Sequence, residues 1–401
     1  MATGYYSPIS YQVPPSEDGW LLKTLLQKRM GVSRKLLSRL KMTDQGIMLN
    51  GERVYISVRV NAGDTVEIRM EQETSEDILP QPVPFEILYE DEHLLVVNKA
   101  AGMIVHPTHG HYTDTLANGV VYYWAQKGEQ YRFRPVHRLD QETSGVLVIA
   151  KNPYSHQHIS EQMIAGTVDK RYNAWVHGVP AVPSGDIDGP IDRDPAEPHR
   201  RIVTPDGYPS LTRYVVKEVY PGAAMVELKL ESGRTHQIRV HMGSIGCPLI
   251  GDGMYRHWLY GKAELERVAG LDAGEQAELE RVAELDAGEH AELERVAELD
   301  AGEQAELERV AELDAGEQAE LERLAELDAG EHAELERVAE LDASIPRQAL
   351  HAVRLSFQHP VLHTELVFEA PLPPDLALLQ AKLRQAPVAD ADIVQIKGEI
   401  P

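Results

Sequence analysis

His137-Arg138-Leu139-Asp140-Gln141-Glu142-Thr143-Ser144-Gly145-Val146-Leu147 sets a carboxylate beside a guanidinium just ahead of an apolar run. Val146, Leu147, Val148, Ile149 and Ala150 have the length and composition of a buried strand, and the Thr-Ser-Gly before them is turn material. Asp140 is therefore expected in a tight loop at the rim of a sheet, where a carboxylate is available as a nucleophile. An ordinary Arg–Asp ion pair in a surface loop would use the same residues. The rest of the chain decides between the two.

The stretch resembles the central motif of the RluA family of RNA pseudouridine synthases, in which the Asp of His-Arg-Leu-Asp is the nucleophile. Further segments match in the family's order. They are Leu94-Leu95-Val96-Val97-Asn98-Lys99 leading to Gly102-Met103 and Val105-His106-Pro107; Lys170-Arg171-Tyr172-Asn173-Ala174; Gly233-Arg234-Thr235-His236-Gln237-Ile238-Arg239-Val240-His241, with Gly246, Pro248 and Gly251-Asp252; and Leu350-His351-Ala352 with Leu355, Phe357, His359 and Pro360. Together they cover most of residues 85–375. Ala100 departs from the pattern, since the family usually has Pro after the Lys. The resemblance implies an α+β catalytic domain with a mainly antiparallel central sheet.

It also implies roles. Asp140 is the expected nucleophile, ionised at neutral pH because an ordinary Asp has a pKa of about 3.9. Arg239 is expected to pair with Asp140, keeping the carboxylate charged and aiming its oxygen. Tyr172 offers a ring on which a flipped base can stack and a hydroxyl for late proton removal at C5. Flipping is required because a carboxylate cannot reach C1′ or C6 of a stacked uridine. Arg138, with His137, is placed on the RNA side, filling the gap that the flipped nucleotide leaves. The isomerisation changes neither atom count nor redox state, so no cofactor and no metal is expected.

Composition taken as a whole opposes an RNA partner, because the 401 residues carry a net charge of -25. The average misleads. Residues 263–343 repeat Ala-Glu-Leu-Glu-Arg-Val-Ala-Glu-Leu-Asp-Ala-Gly-Glu-Gln with small variations and hold 28 acids against 6 Arg, which leaves the remainder at only -3. Within that remainder, residues 20–70 hold ten Lys or Arg against four acids. Leu21, Leu22, Leu25 and Leu26 share a helical face, Gly31 breaks it, and Ser33 can cap a second helix carrying Arg34, Lys35, Leu36, Leu37, Arg39 and Leu40. Asn50-Gly51 signals a hairpin, and Gly63-Asp64 turns the chain into Thr65-Val66-Glu67-Ile68. This order is similar to the alpha-L RNA-binding domain fused ahead of many RluA-type enzymes. On that reading Arg34, Lys35, Arg39 and Lys41 meet RNA phosphates, with little sequence discrimination. A solvated basic surface is the plainer reading of the same charges.

The expected domains are a tail at 1–16, the alpha-L-type domain at 17–76, a stiff Pro-rich linker at 77–84, the catalytic domain at 85–262 and 344–385, the acidic repeat inserted at 263–343, and a tail at 386–401. Each complete repeat junction, as at Asp272 and Glu275, has the spacing of a helix N-cap followed by an acid, predicting short helices with recurring breaks. A coiled coil is excluded, since Leu279 is followed seven residues on by Asp286 and Val282 by Glu289. The repeat is read as a spacer, an arm for a protein partner, or an acidic shield. His106, His109 and His111 lie in a Pro- and Gly-containing loop with no regular ligand face, while His236, His241 and His351 are read as core or supporting histidines on strands. The lone Cys247, the lack of a signal-like start and of any long apolar window point to the cytoplasm with no membrane contact. The expected substrate is large-subunit ribosomal RNA, with transfer RNA, or a non-catalytic RNA-binding protein, as alternatives.

Overall fold

The computed structural model describes residues 4–108, 110–255 and 337–385. The N-terminal unit comprises β1 (Ile9–Gln12), a 3-10 turn at Pro15–Glu17, α1 (Leu22–Lys28), α2 (Arg34–Leu40), β2 (Ile47–Leu49), β3 (Glu52–Arg53) and β4 (Thr65–Ile68). Its sheet runs β1-β4-β2-β3. Ser33 Oγ accepts from Leu36 N, capping α2 as its position predicts. Asn50 and Gly51 both take positive φ, the geometry of the tight hairpin joining β2 to β3. Leu22, Leu25 and Leu26 are fully buried, whereas Leu21 is the N-cap of α1 and exposed.

Two boundaries differ from the sequence reading. β1 pairs in register with β4, so part of the expected N-terminal tail is structural. Alternation explains it, because Ile9 turns inward while Ser10 stays out. The expected stiff linker is also pinned to the catalytic body: Gln81 N donates to Asn118 O and Asn118 Nδ2 donates to Leu79 O.

Beyond it lie β5 (Glu86–Glu90), β6 (Leu94–Lys99), α3 (Leu116–Gln126), β7 (Ser144–Ala150), α4 (Pro153–Ile164), β8 (Asp169–His177), β9 (Ser184–Asp188), β10 (Ile191–Arg193), β11 (Arg201–Val203), β12 (Leu211–Tyr220), β13 (Ala223–Leu230), α5 (Gln237–Ser244), β14 (Leu350–Gln358), β15 (Glu365–Glu369) and α6 (Pro374–Gln385). The fold is α+β. Its large sheet runs β5-β6-β7-β14-β8-β13-β12-β9, with β15 added to β14, and every pairing is antiparallel except β7 with β14. β6 and β7 are buried on both faces, which is why both read as unbroken apolar runs. Leu95, Val97, Leu147 and Ile149 pack toward α3, while Leu94, Val96, Val146 and Val148 pack toward Ile159 of α4.

The β7–β14 contact requires a glycine. Gly145 has φ +118, and a Cβ there would lie 2.2 Å from Ala352 O. That close approach fixes the end of the loop carrying Asp140.

The last copy of the repeat joins this fold. Residues 337–343 are helical. Leu341 packs with Trp175, Tyr220 and Leu376, and Asp342 accepts from Gly251 N and pairs with His177. The catalytic body therefore resumes before residue 344, because apolar positions of that copy complete a core. The expected capped helices of the preceding copies, His109, and the 386–401 tail lie outside the described residues.

Candidate active site

Asp140 is staked from both sides of its loop. Leu139 is buried in the core beside Leu147. Lys99 donates to Gln141 O at 2.9 Å, and also to Ala100 O and Met103 O. Arg347 donates to Glu142 O at 3.0 Å while its fork holds Asp375. Two buried basic side chains thus grip the two carbonyls immediately after Asp140, leaving its carboxylate 20% exposed to a cleft of about 540 Å3. Burial pushes the Lys99 amine down to about 7, opposed by Glu142 and Asp140.

The cleft brings together Asp140, Arg239, Tyr172, His137 and Arg138. They arrive from the loop before β7, from β8 and from α5. Arg239 lies on a helix, not on the strand that its motif suggests. Gln237 makes the difference: its side chain bonds Ser232 Oγ, Arg234 N, Leu211 O and Thr212 Oγ1, and so locks the tight turn from which α5 starts. His241 is on the same helix, buried between Thr212 Oγ1 and Gly189 O, and His351 on β14 bonds Ser144 Oγ.

Arg239 stands in ion-pair range of Asp140 without hydrogen-bonding it. It donates to both oxygens of the fully buried Asp252, at 2.6 and 2.7 Å, while its remaining nitrogen stands 3.7 Å from Asp140. A bidentate pair fixes the plane of the guanidinium, so Asp140 faces a rigid cation it does not have to share a hydrogen bond with. Tyr255 supports the arrangement, its ring 4.9 Å from the Arg239 carbon and its hydroxyl bonded to His236 Nδ1.

His236 sits at φ 58, a left-handed conformation uncommon for a side-chain-bearing residue, with Nε2 3.9 Å from Asp140. Burial pushes its pKa down to about 4 against the pull of Asp140. His137 accepts from Val148 N and is pushed down to about 3 by burial, with Lys170 adding repulsion. Both imidazoles are therefore neutral at pH 7. In the unfolded chain they titrate near about 6.5, so between about 6.5 and 4 the unfolded state binds protons that the folded state refuses. Stability should fall as pH drops through that window. Urea unfolding at pH 7 and pH 5 should show the loss, and His236→Asn should show less of it; an equal loss would place the titration elsewhere.

Burial, reinforced by the Asp140 charge, also raises the Tyr172 phenol, so it stays protonated. Arg138 is exposed at the cleft rim and makes no hydrogen bond or ion pair with the described residues. The α2 cations lie apart from this cleft. Arg34, Lys35 and Lys41 are exposed, and Arg39 is ion-paired with Glu73. Sequence reasoning assigned no part to Lys99, Arg347, Lys170 or Asp252. Lys99, Lys170 and Asp252 stood within quoted motifs, and an Asp after Gly251 was the one readable signal for the Arg239 anchor.

A family model for RNA pseudouridylate synthase matches residues 93–244. An uncharacterized RNA pseudouridine synthase of Bacillus subtilis is 39% identical over 227 residues, covering 56% of this chain and 80% of that protein. The chain belongs to the RNA pseudouridine synthase family. The synthase is also 37% identical over 258 residues to the ribosomal large subunit pseudouridine synthase D of Zymomonas mobilis, covering 61% of this chain and 80% of that one. Among solved structures, the human RNA pseudouridylate synthase domain containing 4 is 23% identical, with a TM-score of 0.45 over 75% of this chain and 93% of that one. The synthase is an isomerase acting on RNA. Among its described residues, no helix is long and apolar enough to cross a membrane.

Proposed function

We propose that the chain isomerises a uridine of large-subunit ribosomal RNA, with Asp140 as the nucleophile acting on a flipped-out nucleotide. The observation that carries this is the partly exposed Asp140 carboxylate, 3.7 Å from the anchored Arg239 and in one cleft with Tyr172. In the reaction the C1′–N1 bond breaks, the base turns, C1′ joins C5, and the hydrogen of C5 leaves as a proton. Asp140 supplies the electron pair that replaces the C1′–N1 bond at C1′ and takes that pair back when C5 bonds to C1′, which frees the carboxylate, with the Arg239 guanidinium 3.7 Å away throughout. Tyr172 stacks on the uracil. Being a neutral phenol, it accepts the C5 proton only by passing on its own, and we assign Asp140 as the acceptor. Arg138 fills the stack that the uridine vacates.

The N-terminal unit is read as an alpha-L-type RNA-binding domain, with Arg34, Lys35, Arg39 and Lys41 toward phosphate, and the acidic repeat as an insertion into the catalytic domain. The cytoplasm is the assigned compartment. Large-subunit ribosomal RNA is favoured over transfer RNA because relatives from Xanthomonas campestris, Zymomonas mobilis and Pseudomonas aeruginosa carry the name ribosomal large subunit pseudouridine synthase D. The deciding assay is tritium release to water from RNA labelled at uridine C5, offered as large-subunit ribosomal RNA or as transfer RNA. Release from the first supports the reading, release from the second alone moves the substrate, and binding without release from either returns the non-catalytic alternative.

A further inference from the structure

The N-terminal unit is locked onto the catalytic domain. Tyr154 donates to Met30 O at 2.8 Å, Gln157 Nε2 donates to Gly31 O at 2.7 Å, and Ser33 N donates to Gln157 Oε1 at 3.1 Å. Tyr154 is buried in the same cluster as Leu25 and Leu37. The seam leaves a groove of about 590 Å3 between α2 and α4, lined among others by Lys35, Arg39, Arg132, Arg134, His156 and Ser160.

Charge makes this groove unusual in an acidic chain. Glu73 lies under three guanidinium groups, pairing directly with Arg39 and Arg134 and standing 3.6 Å from Arg132. One carboxylate cannot neutralise three cations, but it can hold them together. Lys35 adds a fourth cation without a partner among the described residues, and Glu161 is the opposing carboxylate in the lining. Arg132 is 60% exposed and so free to take another anion.

The groove continues into the catalytic cleft along two elements. Pro135 ends it where Val136, His137 and Arg138 begin the cleft wall. On α4, His156, Ser160 and Ile164 are spaced four apart on one face; the first two line the groove, and Ile164, 87% exposed, lines the cleft beside Met163. From His156 to Ile164 the helix rises about 12 Å. That is the rise of three to four stacked nucleotides at about 3.4 Å each.

We propose that this interdomain groove carries the RNA strand flanking the target uridine, its phosphates held by Arg132, Lys35 and the arginines gathered on Glu73. The proposal rests on the reading of the Asp140 cleft as the isomerisation site. Because the seam is hydrogen-bonded and packed, the groove fixes how far from the N-terminal unit a uridine must lie to reach Asp140, and so helps choose it.

The test measures affinity for a ribosomal RNA fragment against salt concentration, with tritium release followed in parallel on the same RNA. Each lost phosphate contact lowers the slope of log affinity on log salt by about 1. Arg132→Gln and Lys35→Gln should each do so, while Lys382→Gln on α6 should leave the slope alone. Arg132 is 60% exposed, so its variant should fold, and it decides the groove, because Lys35 is assigned to phosphate with the rest of the N-terminal unit in any case. A parent slope in Arg132→Gln would overturn the groove even though tritium is released. A parent that binds but releases no tritium would overturn the functional reading instead, and the slopes would still judge the groove.

Discussion

Asp140→Asn is expected to reduce tritium release by at least about 10^4-fold, the scale seen when an essential nucleophile is removed. Binding of the same RNA should change by less than about tenfold. The substitution keeps shape and removes only charge. It is also structurally mild, since the carboxylate stands 3.7 Å from Arg239 and 3.9 Å from His236, both beyond hydrogen-bond length, and the loop is held through the carbonyls of Gln141 and Glu142. A thermal midpoint close to that of the parent should accompany the loss. Retained turnover at a tenth of the parent rate would remove Asp140 from the role of nucleophile.

Asp252→Asn is expected to act through Arg239 and to cost stability as well as activity. Both side chains are buried, Asp252 completely, and the pair is bidentate. Taking away one charge strands the other, which typically costs about 3–5 kcal/mol. The guanidinium would then be free to turn, and Asp140 would lose a cation held in one fixed position beside it. Turnover should fall roughly 10^2-fold or more, a loss on the scale of an electrostatic contact to the reacting centre, with RNA affinity little changed. Denaturant unfolding and tritium release read the two effects separately. An unfolding free energy equal to that of the parent would show that Asp252 does not hold Arg239.

How far the sequence carried this depended on how local each signal was. The strand β7 was legible because five apolar residues follow a turn, and a strand buried on both faces leaves no other pattern. The α2 cap and the Asn50-Gly51 hairpin were legible because both are settled within four residues. Residues 233–241 misled. Their motif reads as a strand by composition, and the helix is set by Gln237 bonding to Leu211 and Thr212, some 25 residues earlier in the chain. The ends of the N-terminal unit misled for a related reason, since β1 is recognisable only once β4 lies beside it. Nothing in the repeat's sequence singles out its last copy, yet that copy carries the Leu341 and Asp342 that dock on the sheet.

The sequence by itself determined the family, the α+β class and the residues that meet in the cleft, because motif order and strand composition are properties of the chain read in one dimension. Tertiary structure alone decided what those residues do to one another. Asp252 was available to Arg239 only after α5 and the turn beyond it had folded back, and two basic side chains distant in sequence, Lys99 and Arg347, came to hold the carbonyls behind Asp140. Buried charges must find partners wherever the packing brings them, and which partner that is depends on distance in space, which spacing along the chain does not encode.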